Sequence, residues 1–222
     1  MPPKPKFKRE EIVDVAYELA RSRGYSALTA RDVGNALGTS SSPIFTVFRD
    51  MEELRTEVVG KAQRKFEEYM SIAEDYSPAY KKRGLQWVKF AQDEPELFKI
   101  LFMRPDTSHP DLSKASVMIP FGKSNDIRII MRDYNATEEQ AEHLFGQMWT
   151  YTYGLCVLCA TGVCWFTEEE TSDRLGEIFI GMVHVILHGD ERRNARVVPL
   201  DSDEGRELVR LNPDFKKSES ED

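Results

Sequence analysis

The chain has 222 residues and a formal net charge of −8, and it is long enough for one large domain or two small ones. The acidic balance excludes a uniformly basic nucleic-acid coat, but residues 1–55 carry +1 and the remainder carries −9. No secretory signal is expected, and three cysteines crowded into one apolar stretch exclude a disulfide framework. The composition therefore predicts a cytoplasmic protein whose net negative charge lies almost wholly downstream of residue 55.

The first element along the chain is a basic arm that leads into a helix. Residues 1–9, MPPKPKFKR, hold four basic residues and no acid, and three prolines disfavour a helix there. Gly24 is expected to end the helix that follows. That helix is indicated by apolar residues at helical spacing, namely Ile12, Val13, Ala16, Leu19 and Ala20.

Two short helices are predicted next, joined by a tight turn. Thr29 with Asp32 starts the first of them, and Gly38 breaks it. A third helix is expected from about Ser40, with Pro43 in its first turn, where a missing N–H leaves no hydrogen bond unmade. Two short helices after a longer one are typical of a helix-turn-helix, whose second short helix lies in the DNA major groove.

The rest of the chain is predicted to be helical, so the fold class is all-α. Helix starts are indicated by Asp50 with Glu53, Ser77 with Pro78, Pro95, Thr137 with Gln140, and Thr167 with Glu170. The expected ends lie near Met70, Asp93, Met103, Val163 and Leu187, and a further helix ends at Tyr134. A loop is expected at 104–113, and the charged tail has a short helix near 204–211 before a disordered end.

Residues 1–55 resemble the DNA-binding domain of TetR-family transcriptional regulators. The positions that fit the family pattern are Ala16, Leu19, Gly24, Leu28, Thr29, Val33, Gly38, Ser40, Ile44, Phe45, Phe48, Glu52 and Leu54. Three positions depart from it, because Phe45 replaces the usual Tyr, Met51 the usual Lys and Pro43 a frequent Thr. Each departure removes a donor to the DNA backbone, which favours weaker binding or reliance on other contacts.

The resemblance implies which side chains meet DNA and what they read. Ser40 is expected to cap the recognition helix, and Arg31 is the best candidate for bidentate guanine readout. The predicted DNA-binding residues are Lys6, Lys8, Thr29, Arg31, Ser40, Ser41, Ser42, Phe45 and Thr46.

The resemblance also implies the organisation downstream of this head. It predicts a helical effector-binding and dimerisation domain at 56–190, which dimerises through the last two long helices, and a charged tail at 191–222. A small apolar or amphipathic effector is expected to enter the second domain and change operator affinity, without any cofactor or metal. The pocket is predicted from aromatic and methionine residues, namely Trp87, Phe90, Phe98, Phe102, Met118, Phe121, Met148, Trp149 and Tyr153.

Several other patterns have competing interpretations. Cys156 and Cys159 favour inert packing, with thiol sensing as the alternative, and His184 with His188 favours a packed or solvated helix end over a metal site. The uncharged stretch 144–167 is long enough to span a bilayer, although its polar residues and the lack of a Lys/Arg cluster on either flank favour a buried helix. No phosphate loop or nucleophile elbow indicates an enzyme.

The sequence therefore predicts a homodimeric DNA-binding regulator, most often a repressor in such families, controlled by a small molecule. The alternative is a ligand- or thiol-responsive binding protein with a degenerate DNA-binding head. The two hypotheses differ in whether DNA binding is sequence-specific.

Overall fold

The fold was analysed in a computed structural model that describes residues 6–103 and 123–188. The all-α prediction is confirmed, since the regular elements in these ranges are helices or single 3-10 turns. The α-helices are α1 (Arg9–Arg23), α2 (Ala30–Ala36), α3 (Met51–Ser71), α4 (Ala79–Asp93), α5 (Pro95–Phe102), α6 (Lys123–Tyr134), α7 (Glu138–Ala160) and α8 (Glu168–His188). The predicted loop at 104–113, the short helix at 204–211 and the disordered end lie outside the described residues.

Local capping explains most of the helix boundaries. The hydroxyl oxygen of Thr29 accepts from the backbone N–H of Asp32, and an oxygen of Asp50 accepts from the N–H of Glu53, as the spacing predicts. Thr137 and Gln140 form a reciprocal capping box at the start of α7. One predicted cap is wrong, because Pro78 rather than Ser77 precedes the first residue of α4.

The chain divides into two compact units, 1–183 and 184–222, and the second is described only at residues 184–188. Within the first unit, α1, α2 and α3 form an N-terminal head, and α4 packs against α7 at the centre of the helices that follow. The head core is largely aliphatic, whereas the core beneath α4 and α5 is built from Phe66, Trp87, Phe90, Phe98 and Phe102. The predicted 1–55 and 56–190 division remains a prediction, and α3 runs through it without a break.

The uncharged stretch 144–167 is not one continuous helix. Helix α7 ends at Ala160, and Gly162 takes a φ of 73°, a left-handed conformation in which glycine is not strained. Helix α8 begins only at Glu168. Among the described residues, no helix is long and apolar enough to cross a membrane.

Candidate nucleic-acid interface and ligand cavity

The segment expected to hold the recognition helix contains only a single 3-10 turn. We call residues 38–47 the recognition turn, and its regular part is Ile44–Thr46. The prediction of a longer helix capped by Ser40 is therefore wrong, and no side chain caps the turn. Two local causes act together: a residue that precedes proline, here Ser42, is disfavoured in the α region, and the β-branched Thr46 and Val47 lower helix propensity.

The recognition turn packs directly on the backbone of α2. A Cβ on Gly34 would lie 2.9 Å from both the carbonyl carbon and the oxygen of Ser40, and 3.0 Å from the nitrogen of Ser41. These are main-chain atoms, which cannot swing away as a flexible side chain can. Glycine at this position therefore sets how closely the turn approaches α2.

The predicted DNA-contact residues on the head divide into exposed and engaged side chains. Arg31, Ser40, Ser42 and Phe45 are exposed, and Phe45 has 49% of its surface accessible. Ser41 is half-buried. Solvent, and therefore a duplex, can reach the four exposed side chains.

Two threonine hydroxyls in the predicted set already have internal partners. The hydroxyl of Thr29 donates to Asp32 Oδ2 at 2.6 Å, and that of Thr46 donates to the carbonyl of Pro43 at 2.7 Å. A hydroxyl has one proton to donate, so neither can donate to a phosphate without giving up its internal bond. Their contribution to DNA contact remains a prediction.

The basic arm is fixed to the head at Arg9. Its guanidinium donates to Glu53 Oε1 at 2.8 Å and to Glu57 Oε1 at 2.9 Å, and it lies over the ring of Phe48 at 4.3 Å. Arg9 therefore ties α1 to α3, which sequence reasoning missed because both carboxylates are more than forty residues away. Lys6 and Lys8 keep exposed side chains.

A cavity of about 200 Å³ lies among α4, α6, α7 and α8, and we call it the aromatic cavity. The rings of Trp149 and Tyr153 stack on one wall with centroids 5.1 Å apart. The hydroxyl of Tyr153 donates to the carbonyl of Phe102 at 2.9 Å, which holds this wall against α5. The other rings that line the cavity are Tyr80, Trp87, Tyr134, Phe145 and Phe179.

Four of the nine predicted pocket residues line the aromatic cavity, namely Trp87, Met148, Trp149 and Tyr153. Phe90, Phe98 and Phe102 pack in the buried core around Phe66 instead and do not line it. Met118 and Phe121 lie outside the described residues. Phe98 and Phe102 lie on α5, which contributes no residue to the cavity lining among the described residues.

Sequence reasoning missed the two buried charged groups in the cavity wall. Arg83 of α4 and Asp126 of α6 form an ion pair whose side chains are only 8% and 6% exposed. Burial raises the pKa of Asp126 to about 6, and the neighbouring Arg83 opposes that rise. The spacing of Arg83 in the sequence indicates its place in this wall. Arg83 follows Tyr80 by three residues and precedes Trp87 by four, inside an otherwise apolar helical stripe.

Helix α4 also connects the cavity to the head. Its last residues lead to Glu94, which is 4% exposed and accepts two hydrogen bonds from Arg21 of α1, from Nε at 2.6 Å and from Nη2 at 2.7 Å. Asp93 accepts from the hydroxyl of Tyr69 on α3 at 3.0 Å. One helix therefore contributes both to the cavity wall and to the contact with the head.

The cysteines and the outer faces of α7 and α8 have different environments. Cys156 and Cys159 are buried, and burial raises the pKa of both thiols, which disfavours the reactive thiolate. Cys164 is partly exposed. Large apolar side chains are exposed on α7 at Leu158, between α7 and α8 at Val163 and Trp165, and on α8 at Ile178 and Ile180, of which Ile180 also lines the aromatic cavity.

Comparison with known proteins gives matches to both the head and the fold. Residues 12–58 match the family described as bacterial regulatory proteins, tetR family. A TetR-like transcriptional regulator from Rhodococcus sp. RHA1 is 13% identical over 85% of this chain and 100% of its own, with a TM-score of 0.60. A structure assigned to the TetR-family transcriptional regulators from Mesorhizobium loti MAFF303099 is 17% identical over 82% and 98%, with a TM-score of 0.54. No curated protein sequence matches the chain.

Proposed function

The chain is a TetR-family transcriptional regulator with a helix-turn-helix DNA-binding head, and from this premise we propose that it is a homodimeric repressor released from its operator by a small molecule. The aromatic cavity is the effector site in this proposal, and the role of the chain is binding rather than catalysis. The observation that carries the proposal is that α4 lines the cavity and also leads directly into the Glu94 contact with the head.

Operator recognition is assigned to the exposed surface around the recognition turn. Arg31 is exposed and has no ion pair among the described residues, so its guanidinium is available for a base edge or a phosphate. Ser40 and Ser42 are small and exposed, which permits close approach of the turn to the groove. Phe45 offers an apolar ring that can contact a thymine methyl group or a sugar.

The dimer interface is assigned to the outer faces of α7 and α8. Leu158 of α7 is 37% exposed and Ile178 of α8 is 38% exposed, so both helices present apolar surface to solvent. Exposed apolar residues on two long helices are typical of a surface that is covered by a partner. Two heads in one dimer would read two half-sites of an operator.

Effector action is assigned to displacement of α4. A ligand that pushes on the wall at Arg83 and Trp87 would move the same helix whose end is joined to Arg21 and Tyr69. Because interfaces and packed cores reorganise between discrete arrangements, a small shift of α4 can reorient the head. The two heads of a dimer would then no longer fit adjacent half-sites.

The test of regulation is fluorescence anisotropy with duplex DNA from beside the chain's own gene, against a scrambled duplex of equal composition. The proposal expects a preference for the native duplex that survives near-physiological salt, because base contacts are less salt-dependent than phosphate contacts. A panel of apolar and amphipathic compounds is then screened for release of the bound duplex. If no compound in the panel lowers the affinity for DNA, effector control is contradicted.

The coupling step is tested with Glu94→Gln, which removes one charge of the contact and keeps the side-chain shape. A compound found in the screen should bind this variant with unchanged affinity but shift its DNA affinity less than in the wild type. Glu18→Gln is the matched control, since Glu18 also faces Arg21, at 3.5 Å, but is exposed. Equal loss in both variants would contradict the specific role of Glu94.

A second candidate function is favoured by the recognition turn itself. A single 3-10 turn with Phe45 and Met51 in place of backbone donors suits a ligand- or thiol-responsive binding protein whose head is degenerate. In that case both duplexes bind equally and lose affinity together as salt rises.

A further inference from the structure

The polar groups of the aromatic cavity are incompletely satisfied. Arg83 Nε and Asp126 Oδ1 contact each other as an ion pair, and neither atom has a further hydrogen-bond partner in the part of the chain that the structure describes. Buried polar atoms in folded proteins are nearly always hydrogen-bonded. A guanidinium has five N–H donors, so Arg83 has capacity for a second oxygen ligand.

The charge of the cavity wall favours an anion. Two cationic residues, Lys81 and Arg83, line the cavity, against one carboxylate, Asp126. Lys81 is exposed and screened by solvent, so the buried Arg83 carries most of the attraction. The remaining lining is mainly aromatic and aliphatic, which suits a flat apolar body.

A cationic ligand is the main competing class, because aromatic rings and a carboxylate can together hold an ammonium group. Arg83 argues against it, since its guanidinium already lies against the only lining carboxylate among the described residues. A second cation there would be repelled at short range in a poorly screened site. An anion instead meets an arginine that is held in place.

We infer that the effector is an amphipathic monocarboxylic acid with a flat apolar body. Its carboxylate binds Arg83 in competition with Asp126. This inference rests on the proposed effector role of the aromatic cavity. The apolar body lies between the stacked Trp149 and Tyr153 and the ring of Phe179. Arg83 fixes the orientation of the acid through charge-assisted hydrogen bonds.

Binding of the acid is coupled to proton uptake by Asp126. Burial raises the pKa of Asp126 to about 6, and Arg83 is the group that holds it down. When the ligand carboxylate binds Arg83, Arg83 lowers the pKa of Asp126 less. Asp126 then binds a proton near neutral pH. The other titratable side chains in the wall are Tyr80 and Lys81 of α4, Tyr134 of α6 and Tyr153 of α7, and α8 contributes none of the described lining residues that titrate.

Affinity for the acid should therefore rise as the pH falls from 8 towards 6, because the unbound carboxylate of Asp126 must gain a proton on binding. The pKa of an aromatic carboxylic acid lies well below this range, so the ligand stays ionised. Calorimetric titration in two buffers of different ionisation enthalpy measures the number of protons taken up. Zero uptake would overturn the competition with Asp126.

The ligand class is tested by calorimetry with three probes of one shape, 2-naphthoate, 2-naphthamide and 2-naphthylmethylammonium. The acid should bind the wild type about tenfold more tightly than the amide, and the ammonium should bind most weakly. A preference for the ammonium, equal affinity for acid and amide, or no binding of the acid at millimolar concentration would overturn the inference.

Two variants locate the acid at the charged pair. The double substitution Arg83→Met with Asp126→Leu replaces the pair by apolar residues of similar size, a change that buried pairs usually tolerate. It should remove the preference for the acid. Asp126→Asn should strengthen acid binding several-fold, since a competing charge is gone. Arg128→Met, on the exposed face of α6, is the control and should match the wild type.

Anisotropy on the same samples separates this inference from the proposed function. Acid binding without any change in DNA affinity supports the ligand class and contradicts the effector role. Release of DNA by the ammonium or by the amide alone supports effector control and overturns the acid. Retention of the acid preference in the double variant places the carboxylate elsewhere and overturns the role of Arg83.

Discussion

The head and the cavity region are built on different physical principles. Ile12, Leu28, Ile44 and Leu54 are fully buried in the head, where the charged groups pair at the surface. The cavity region has aromatic walls, a partly open space of about 200 Å³ and a buried ion pair whose two contacting atoms have no further hydrogen-bond partner among the described residues. A DNA-binding head of fixed shape needs a closely packed interior. A ligand-binding region needs polar groups to which a ligand can give hydrogen bonds that the protein does not supply.

The largest test of this contrast is Arg83→Ala, which leaves Asp126 buried without its partner. We expect a loss of about 3–5 kcal/mol in the free energy of unfolding at neutral pH, measured by urea titration. Arg128→Ala on the exposed face of α6 should change stability by less than about 0.5 kcal/mol. Similar stability of both variants would mean that the buried pair is not a special feature of the cavity region.

The next test concerns the packing of the head. Gly34→Ala forces a Cβ to within 2.9 Å of the Ser40 backbone, and we expect a loss of about 1–3 kcal/mol in stability together with weaker operator binding. Gly60→Ala is the control, because its Cβ would meet only Arg64 Nη1 at 3.7 Å. Helix propensity should make that control variant neutral or slightly stabilised. Wild-type DNA affinity in Gly34→Ala would show that the turn can yield.

A third test addresses the surface of the head rather than its interior. Arg31→Ala should cost about 1–3 kcal/mol on operator DNA and relax the preference at one base pair, if the guanidinium reads guanine. Stability should be unchanged, since Arg31 is exposed. An equal loss on operator and scrambled duplexes, measured by anisotropy, would assign Arg31 to a phosphate.

The smallest effect is expected from Cys156→Ser. The thiol is buried and its raised pKa disfavours the thiolate, so packing rather than redox chemistry accounts for it. The compound concentration that releases half of the bound DNA should be the same in the variant and the wild type, with or without a mild thiol oxidant. If the oxidant changes DNA release in the wild type but not in the variant, thiol sensing is established.

Sequence reasoning succeeded where a few neighbouring residues determine the structure. Thr29, Asp50 and Thr137 cap helices through hydrogen bonds to residues only three positions away in the sequence. Such caps are predictable from residue spacing. It failed at the recognition turn, where the family pattern favoured a helix but Pro43 and its neighbours disfavour one.

The cavity was only partly predictable because its walls come from four separate helices. Trp87 and Phe90 have similar residue types and lie on one helix, yet one lines the cavity and the other packs in the core. The pairing of Arg83 with Asp126 joins residues more than forty positions apart. Composition indicated aromatic walls, but the helix packing that joins the charges is tertiary information.

The anchoring of Arg9 limits how far the basic arm can extend. Arg9 is held by Glu53 and Glu57, so the described basic residues Lys6 and Lys8 precede a fixed root. Lys6 is three residues from that root, and a fully extended chain of this length spans at most about 11 Å. One turn of B-DNA is about 34 Å long. Any phosphate that Lys6 or Lys8 contacts therefore lies within about half a turn of the root at Arg9.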